Sequence, residues 1–193
     1  GDSPYQSFST HAGNPYFIDL PTLVAEGLLE QEELDAIDWG DDPTHVAYDK
    51  IYNGRFPLLK KAMERGWEKE LEEINAFRAE NHEWLEDYAL FMAVKRHFSM
   101  KAWTEWDEDI RMREPEAVER YRALVSEDIR LFVYIQFKFF QQWAKLREYA
   151  HSKHIGIIGD MPIYVAMDSA DVWADPKSFQ LDEKNVPVEV AGV

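Results

Sequence analysis

The chain has 193 residues, 46% of them hydrophobic and 14% aromatic, enough to bury a core as one domain or as one domain with a subdomain. Its 37 acidic residues against 21 Lys and Arg give a net charge of -16, so a nucleic-acid phosphate backbone or an anionic membrane surface is repelled, and neither is expected as a partner. The absence of cysteine excludes disulfides, thiolate metal sites and a cysteine nucleophile, and it suits a cytoplasmic protein. The most apolar stretch, "IRLFVYIQFKFFQQW", is interrupted by Arg130, Gln136 and Lys138, which argues against a membrane span. Gly1 stands where an initiator Met is usual, and "VEVAGV" stops on apolar residues without a cap, so both ends read as cuts in a longer chain.

The first twenty residues, "GDSPYQSFSTHAGNPYFIDL", place Gly, Pro, Ser and Asn at turn positions among aromatics, which predicts an ordered loop that packs rings. "LPTLVAEGLL" predicts a short helix with Gly27 near its end, and an acidic segment runs on to Asp42. A helical pattern from about His45 is expected to break at Gly54 and Pro57 and to resume in "LLKKAMERGW". From Glu68 to about Phe98, Leu71, Ile74, Phe77, Trp84, Leu85, Tyr88 and Phe91 keep helical spacing, which predicts one long helix ending near Ser99.

"MKAWTEWDEDIRMREP" is expected to be irregular with two packing tryptophans, and Glu116 to Leu124 to be a short charged helix. Ser126 then caps a second long helix to about His151, with Glu127 and Asp128 in its first turn and Lys145, Arg147, His151 and Lys153 near its end, the polarity the helix dipole favours. Its run from Leu131 to Phe140 is apolar nearly all round and predicts burial on more than one side. A strand over Ile155 to Gly159 follows, then Asp160, a short extended "IYV", a small helix in "DSADVWADP" and a hairpin turning at Glu183 to Asn185. Helix, turn and strand with a polar residue at its C-terminal end make the repeating half of an α/β barrel or a doubly wound sheet.

Asp160 is the best single candidate for chemistry, since a carboxylate behind a short apolar strand costs free energy unless something pairs with it or uses it. Its structural alternative is to cap the following turn. Asp168 or Ser169 reads as the cap of the next helix and Asp171 as a first-turn acid, so these acids do not predict a metal site. The histidines do not converge, and HExxH, GxSxG and a phosphate-binding glycine loop are all absent. Trp84, Trp103, Trp106, Trp143 and Trp173 have rings able to stack on sugars, but helical Trp84 and Trp143 read as core. Tyr5, in an irregular loop, can present both a ring face and a hydroxyl.

Three stretches, "GDSPYQSFSTHAGNPYFIDL", "WLEDYALFMAVK" and "GIIGDMPIYVAMDSADVWADPKSFQLDE…VPVEVAGV", together resemble successive landmarks of the 4-α-glucanotransferases, the amylomaltase or disproportionating-enzyme family. "YNGRFPLLKKA" fits more loosely, Thr10 and His11 depart from the pattern, and Glu30 to Thr44 and Ala102 to Glu116 match only vaguely.

The resemblance implies an α/β fold: an incomplete (β/α)8 TIM-barrel segment with a large, mostly helical insertion subdomain. It implies residues 1–20 as a barrel-rim substrate loop, 21–126 as the helical insertion, and 127–193 as a barrel helix, strand and following loop. It implies retaining transfer of α-1,4-glucan units between maltooligosaccharides, without cofactor or metal. Ser3, Tyr5 and Asp160 match substrate-lining positions, whereas the family's nucleophilic Asp and acid/base Glu fall beyond Val193 and its opening strand before Gly1. The isolated segment is then inactive and, with unpaired edges and faces, prone to self-association. The competing expectation is a stand-alone helical module that grips glucan with Tyr5, Trp103 and Trp106.

Overall fold

Apolar spacing is realised almost entirely as helix. The computed structural model describes residues 6–42, 44–160 and 163–189. Its α-helices are α1 (Leu20–Ala25), α2 (Gln31–Asp35), α3 (Tyr48–Gly66), α4 (Leu71–Glu80), α5 (Leu85–His97), α6 (Glu108–Arg111), α7 (Pro115–Leu124), α8 (Ser126–Ser152) and α9 (Ala170–Ala174). Among the described residues there is no strand, only an antiparallel bridge between Leu181 and Pro187 flanking a turn in which Asn185 takes φ 59°.

The strand expected over Ile155 to Gly159 is therefore corrected: the segment is irregular and exposed, with Ile158 97% exposed. A parallel strand draws its backbone hydrogen bonds from neighbouring strands, and the described chain supplies none. Two further expectations fail. The single helix from Glu68 to Phe98 is two, α4 and α5, because Asn81 turns the chain: its carbonyl accepts from the amides of Trp84 and Leu85, and its side-chain oxygen from Trp84 Nε1 at 3.1 Å. The break expected at Gly54 and Pro57 does not occur, since α3 runs through both. Pro57 removes one helical donor, a cost of about 3 kcal/mol, but burial of Phe56, Leu58, Leu59 and Met63 offsets it at roughly 1.5–3 kcal/mol per side chain. Gly54 is required by closeness: a Cβ there would stand 2.4 Å from Ile37 Cγ2.

The described chain forms two compact units. The first takes the described parts of Gly1–Ala12, Asn81–Phe132 and Ile158–Val193; the second takes Gly13–Glu80 and Val133–Ile157. In the first, α5 packs on α9, and Phe91 lies 5.4 Å from Trp106 and 5.9 Å from Trp173 between ring centroids. Trp173 Nε1 donates to the Ile110 carbonyl at 3.1 Å, and the Arg113 guanidinium lies 4.3 Å over the Trp173 ring while pairing with Asp87 at 2.7 Å.

The second unit is built around the part of α8 that the sequence marks as apolar all round, and Val133 to Phe137 are buried as expected. Lys138, 1% exposed, continues that run. Its ammonium donates to Glu70 Oε1 at 2.5 Å, Glu26 Oε2 at 3.0 Å and Gln141 Oε1 at 3.2 Å. Glu70 also accepts from the Tyr134 hydroxyl at 2.6 Å, and burial first, then this bond, push the Tyr134 phenol above its ordinary pKa. Gly66 permits the approach, because a Cβ there would meet Tyr134 Oη at 2.1 Å.

Glu33 of α2 accepts from both terminal nitrogens of Arg65, at 2.7 and 2.9 Å, and from Lys61 at 3.0 Å. Hydrogen bonding to Arg65, then to the Glu30 backbone and Lys61, lowers its pKa from 4.5 to about 2. A depressed folded pKa stabilises the fold above the unfolded value, and that contribution is lost as pH falls through the folded one. Between pH 4.5 and 2, Glu33→Gln should therefore flatten the loss of stability relative to the unsubstituted chain, measured by denaturant melts at stepped pH.

Candidate functional site

Asp160 is exposed, in the irregular segment that follows α8. Met161 and Pro162 lie outside the described residues, as do the other two candidates, Ser3 and Tyr5. What the structure describes is how the neighbours of these positions are held within the first unit.

Downstream of Asp160, Ile163 and Tyr164 are exposed, and burial begins at Ser169 and Ala170. Ser169 is the N-cap of α9, its Oγ accepting from Val172 N at 3.3 Å. Of the two caps the sequence allowed, Ser169 fills the role, and Asp168 is free for another. Asp168 Oδ2 accepts from Lys95 Nζ at 2.6 Å, and its Oδ1 from Trp103 N at 3.2 Å. Trp103 Nε1 donates to the Met167 carbonyl at 2.7 Å.

The described end of the N-terminal loop meets the same region. Ala170 N donates to the Phe8 carbonyl at 2.8 Å, and Thr10 donates to Asp171 from its amide at 3.0 Å and its hydroxyl at 2.9 Å. His11 stacks on Trp84 at 6.0 Å. Two stretches singled out in the sequence, "QSFSTHA" and "MDSADVW", are thus joined directly.

Lys95 was not legible as part of this arrangement. In the sequence it reads only as the first of three basic residues, Lys95, Arg96 and His97, in the last turn of α5, where the helix dipole alone accounts for them.

Trp103 and Trp106 do not form a sugar platform. Trp103 is 0% exposed and Trp106 is 4% exposed, so neither offers a ring face, which removes two of the three groups on which the stand-alone glucan-binding module relied. Trp84 and Trp143 are half-buried. Trp143 lines an open groove of the second unit, about 530 Å³, with Phe17, Phe139 and Leu146. The amide of Gln142 in that groove is already committed to the Asp19 backbone, at 2.7 and 3.1 Å, so the groove presents mainly apolar surface. Among the described residues, no group of three or more His, Asp or Glu side chains is placed to hold a metal ion, and no helix is long and apolar enough to cross a membrane.

An exposed carboxylate accepts strong hydrogen bonds, and alone it cannot perform retaining glycosyl transfer, which needs two carboxyl groups about 5 Å apart. The family profile described as 4-alpha-glucanotransferase matches residues 1–193, and the chain belongs to that family. It is 48% identical over 194 residues to the 4-alpha-glucanotransferase of Streptococcus pneumoniae serotype 4, covering 100% of this chain and 38% of that protein. With the Clostridium butyricum enzyme of the same name it shares 42% identity, over 100% of this chain and 40% of the other. The solved amylomaltase from Streptococcus agalactiae in complex with acarbose superposes with a TM-score of 0.95 at 43% identity, over 100% of this chain and 39% of that one. The chain thus spans about two fifths of the length of these relatives.

Because Trp103 is fully buried and hydrogen-bonded at both nitrogens, Trp103→Ala should destabilise the chain by roughly 3–5 kcal/mol. Chemical denaturation measures this; an unchanged midpoint would return Trp103 to the surface.

Proposed function

We propose that these residues are a segment of a retaining 4-α-glucanotransferase that passes α-1,4-glucan units from one maltooligosaccharide to another. The observation that carries this is the family match over the whole chain, combined with coverage of only about two fifths of the relatives. The acarbose-bound amylomaltase supports a sugar-like ligand. In this proposal residues 1–20 line the barrel rim, 21–126 are the helical insertion, and 127–193 carry a barrel helix, a strand and the loop after it. Ile155 to Gly159 become a strand once neighbouring strands supply hydrogen bonds. The complete enzyme is an incomplete segment's natural context, a (β/α)8 barrel, and its location is cytoplasmic, as the cysteine-free composition suits.

Asp160, Ser3 and Tyr5 contact the glucan. The Asp160 carboxylate accepts hydrogen bonds from sugar hydroxyls. The nucleophile and the acid/base are contributed by other parts of the enzyme, so the isolated chain is inactive. No cofactor or metal takes part.

In the full-length enzyme, Asp160→Asn should lower the turnover of maltotriose by about 100-fold, since contacts that tighten in the transition state contribute several kcal/mol. Near-normal turnover would remove Asp160 from the site. The isolated chain incubated with maltotriose should yield neither glucose nor longer oligomers; disproportionation by it would place the reacting pair within these residues.

The apolar surface supports a second expectation. Ile155, Leu146 and Tyr149 are 58%, 54% and 63% exposed, and Ile163 is 89% exposed. Such faces pack against the barrel in the full enzyme and against a second copy in the isolated chain. Sedimentation velocity over a concentration series should show self-association; a single monomer boundary at high concentration would refute it.

A further inference from the structure

The segment leading out of Asp160 has little side-chain burial of its own. Among the described residues from Asp160 to Asp168 none is buried, and burial begins at Ser169. Placement of such a segment is governed by its polar anchors rather than by packing. At its downstream end the anchors are the Met167 carbonyl on Trp103 Nε1, Asp168 Oδ1 on Trp103 N, and Asp168 Oδ2 on Lys95 Nζ.

The lysine is the anchor with the most at stake. Lys95 is 1% exposed, and besides Asp168 its ammonium donates to the Lys101 carbonyl at 2.9 Å. The rings of Phe8 and Phe91 face it at 5.0 and 5.8 Å. A dry ammonium without its carboxylate is strongly unfavourable, so the loop is held in its seated position and graded displacement of Asp168 is opposed. The side chain of Asp168 is itself 35% exposed, so the carboxylate keeps water on one side while the cation has none. The need for the pair lies with the lysine.

The same ammonium lies beneath the other loop. Phe8 belongs to the N-terminal stretch that contains Tyr5, and its carbonyl accepts from Ala170 while Thr10 binds Asp171. One buried charge therefore contacts an aromatic ring of the first loop and a carboxylate of the second.

We infer that Lys95 is a positioning residue for glucan transfer: through Asp168 and Phe8 it fixes the Asp160 segment against the N-terminal loop, so that groups from both meet one sugar. This rests on Asp160 as a glucan contact. Lys95 touches no substrate and acts only through the loops it seats.

The experiment is a double-substitution cycle in the full-length enzyme, comparing the unsubstituted protein with Lys95→Met, Asp160→Asn and the pair together. Methionine keeps the length of the buried stem and leaves Asp168, which water can still reach. The values of kcat and KM for maltotriose are measured well below the melting temperature of each variant, with folding checked by circular dichroism. Lys95→Met should lower kcat roughly 10-fold or more with KM changed less, the pattern of a contact realised in the transition state. In the Asp160→Asn background the same change should cost much less, because its effect passes through Asp160. Full kcat in folded Lys95→Met, or the same fold loss in both backgrounds, would overturn the role and show Lys95 to be structural only. Full kcat in Asp160→Asn would instead remove the glucan contact itself, and the role of Lys95 with it. If Lys95→Met does not fold, Lys95→Met with Asp168→Asn leaves no unpaired charge, and the same losses are expected of it.

Discussion

An ammonium shut away from water must find its counter-charge inside the protein, and each compact unit of this chain contains one such group. Lys138 and Lys95 are both 1% exposed; Lys138 lies between Phe137 and Phe139, and Lys95 follows the apolar run that ends at Val94. In the second unit, Lys138 collects Glu26 from just beyond α1 and Glu70 from the turn before α4. In the first, Lys95 collects Asp168 from the far end of the sequence. A hydrophobic surface would accept many arrangements of these segments, but a buried cation accepts only those that bring it a carboxylate. In this way a non-directional core acquires specific geometry.

The candidate site inherits that geometry. Its carboxylate stands in an irregular, exposed segment, yet the chain on its downstream side is tied to a buried tryptophan and a buried lysine. An exposed loop backed by helices is a common arrangement for ligand binding, because precision comes from the scaffold and access from the loop.

Departures from sequence periodicity have physical causes in particular residues. Spacing alone continues a helix from Glu68 to Phe98, and only the local hydrogen bonds of Asn81 show why it stops and restarts. Gly54 and Pro57 carry the usual signs of a helix end, yet burial around them outweighs the local preference. The "GIIG" stretch has the composition of a strand, but strand is a property of pairs, and composition cannot supply the partner. By contrast α7, the long α8 with its buried apolar run, and the small helix α9 were legible, because each depends on contacts within one turn or one face.

The amino-acid order by itself determined the helical character of most of the chain, the family to which it belongs and the position of Asp160, since these follow from periodicity, capping and motif. Tertiary structure alone decided that Trp103 and Trp106 are core rather than platform, that Asp168 serves a lysine rather than a helix end, and that the stretches around Phe8 and Ala170 meet. The reason is range: propensity and capping act over a few residues, whereas burial and charge pairing depend on which distant segments share a space, and folding brings those together.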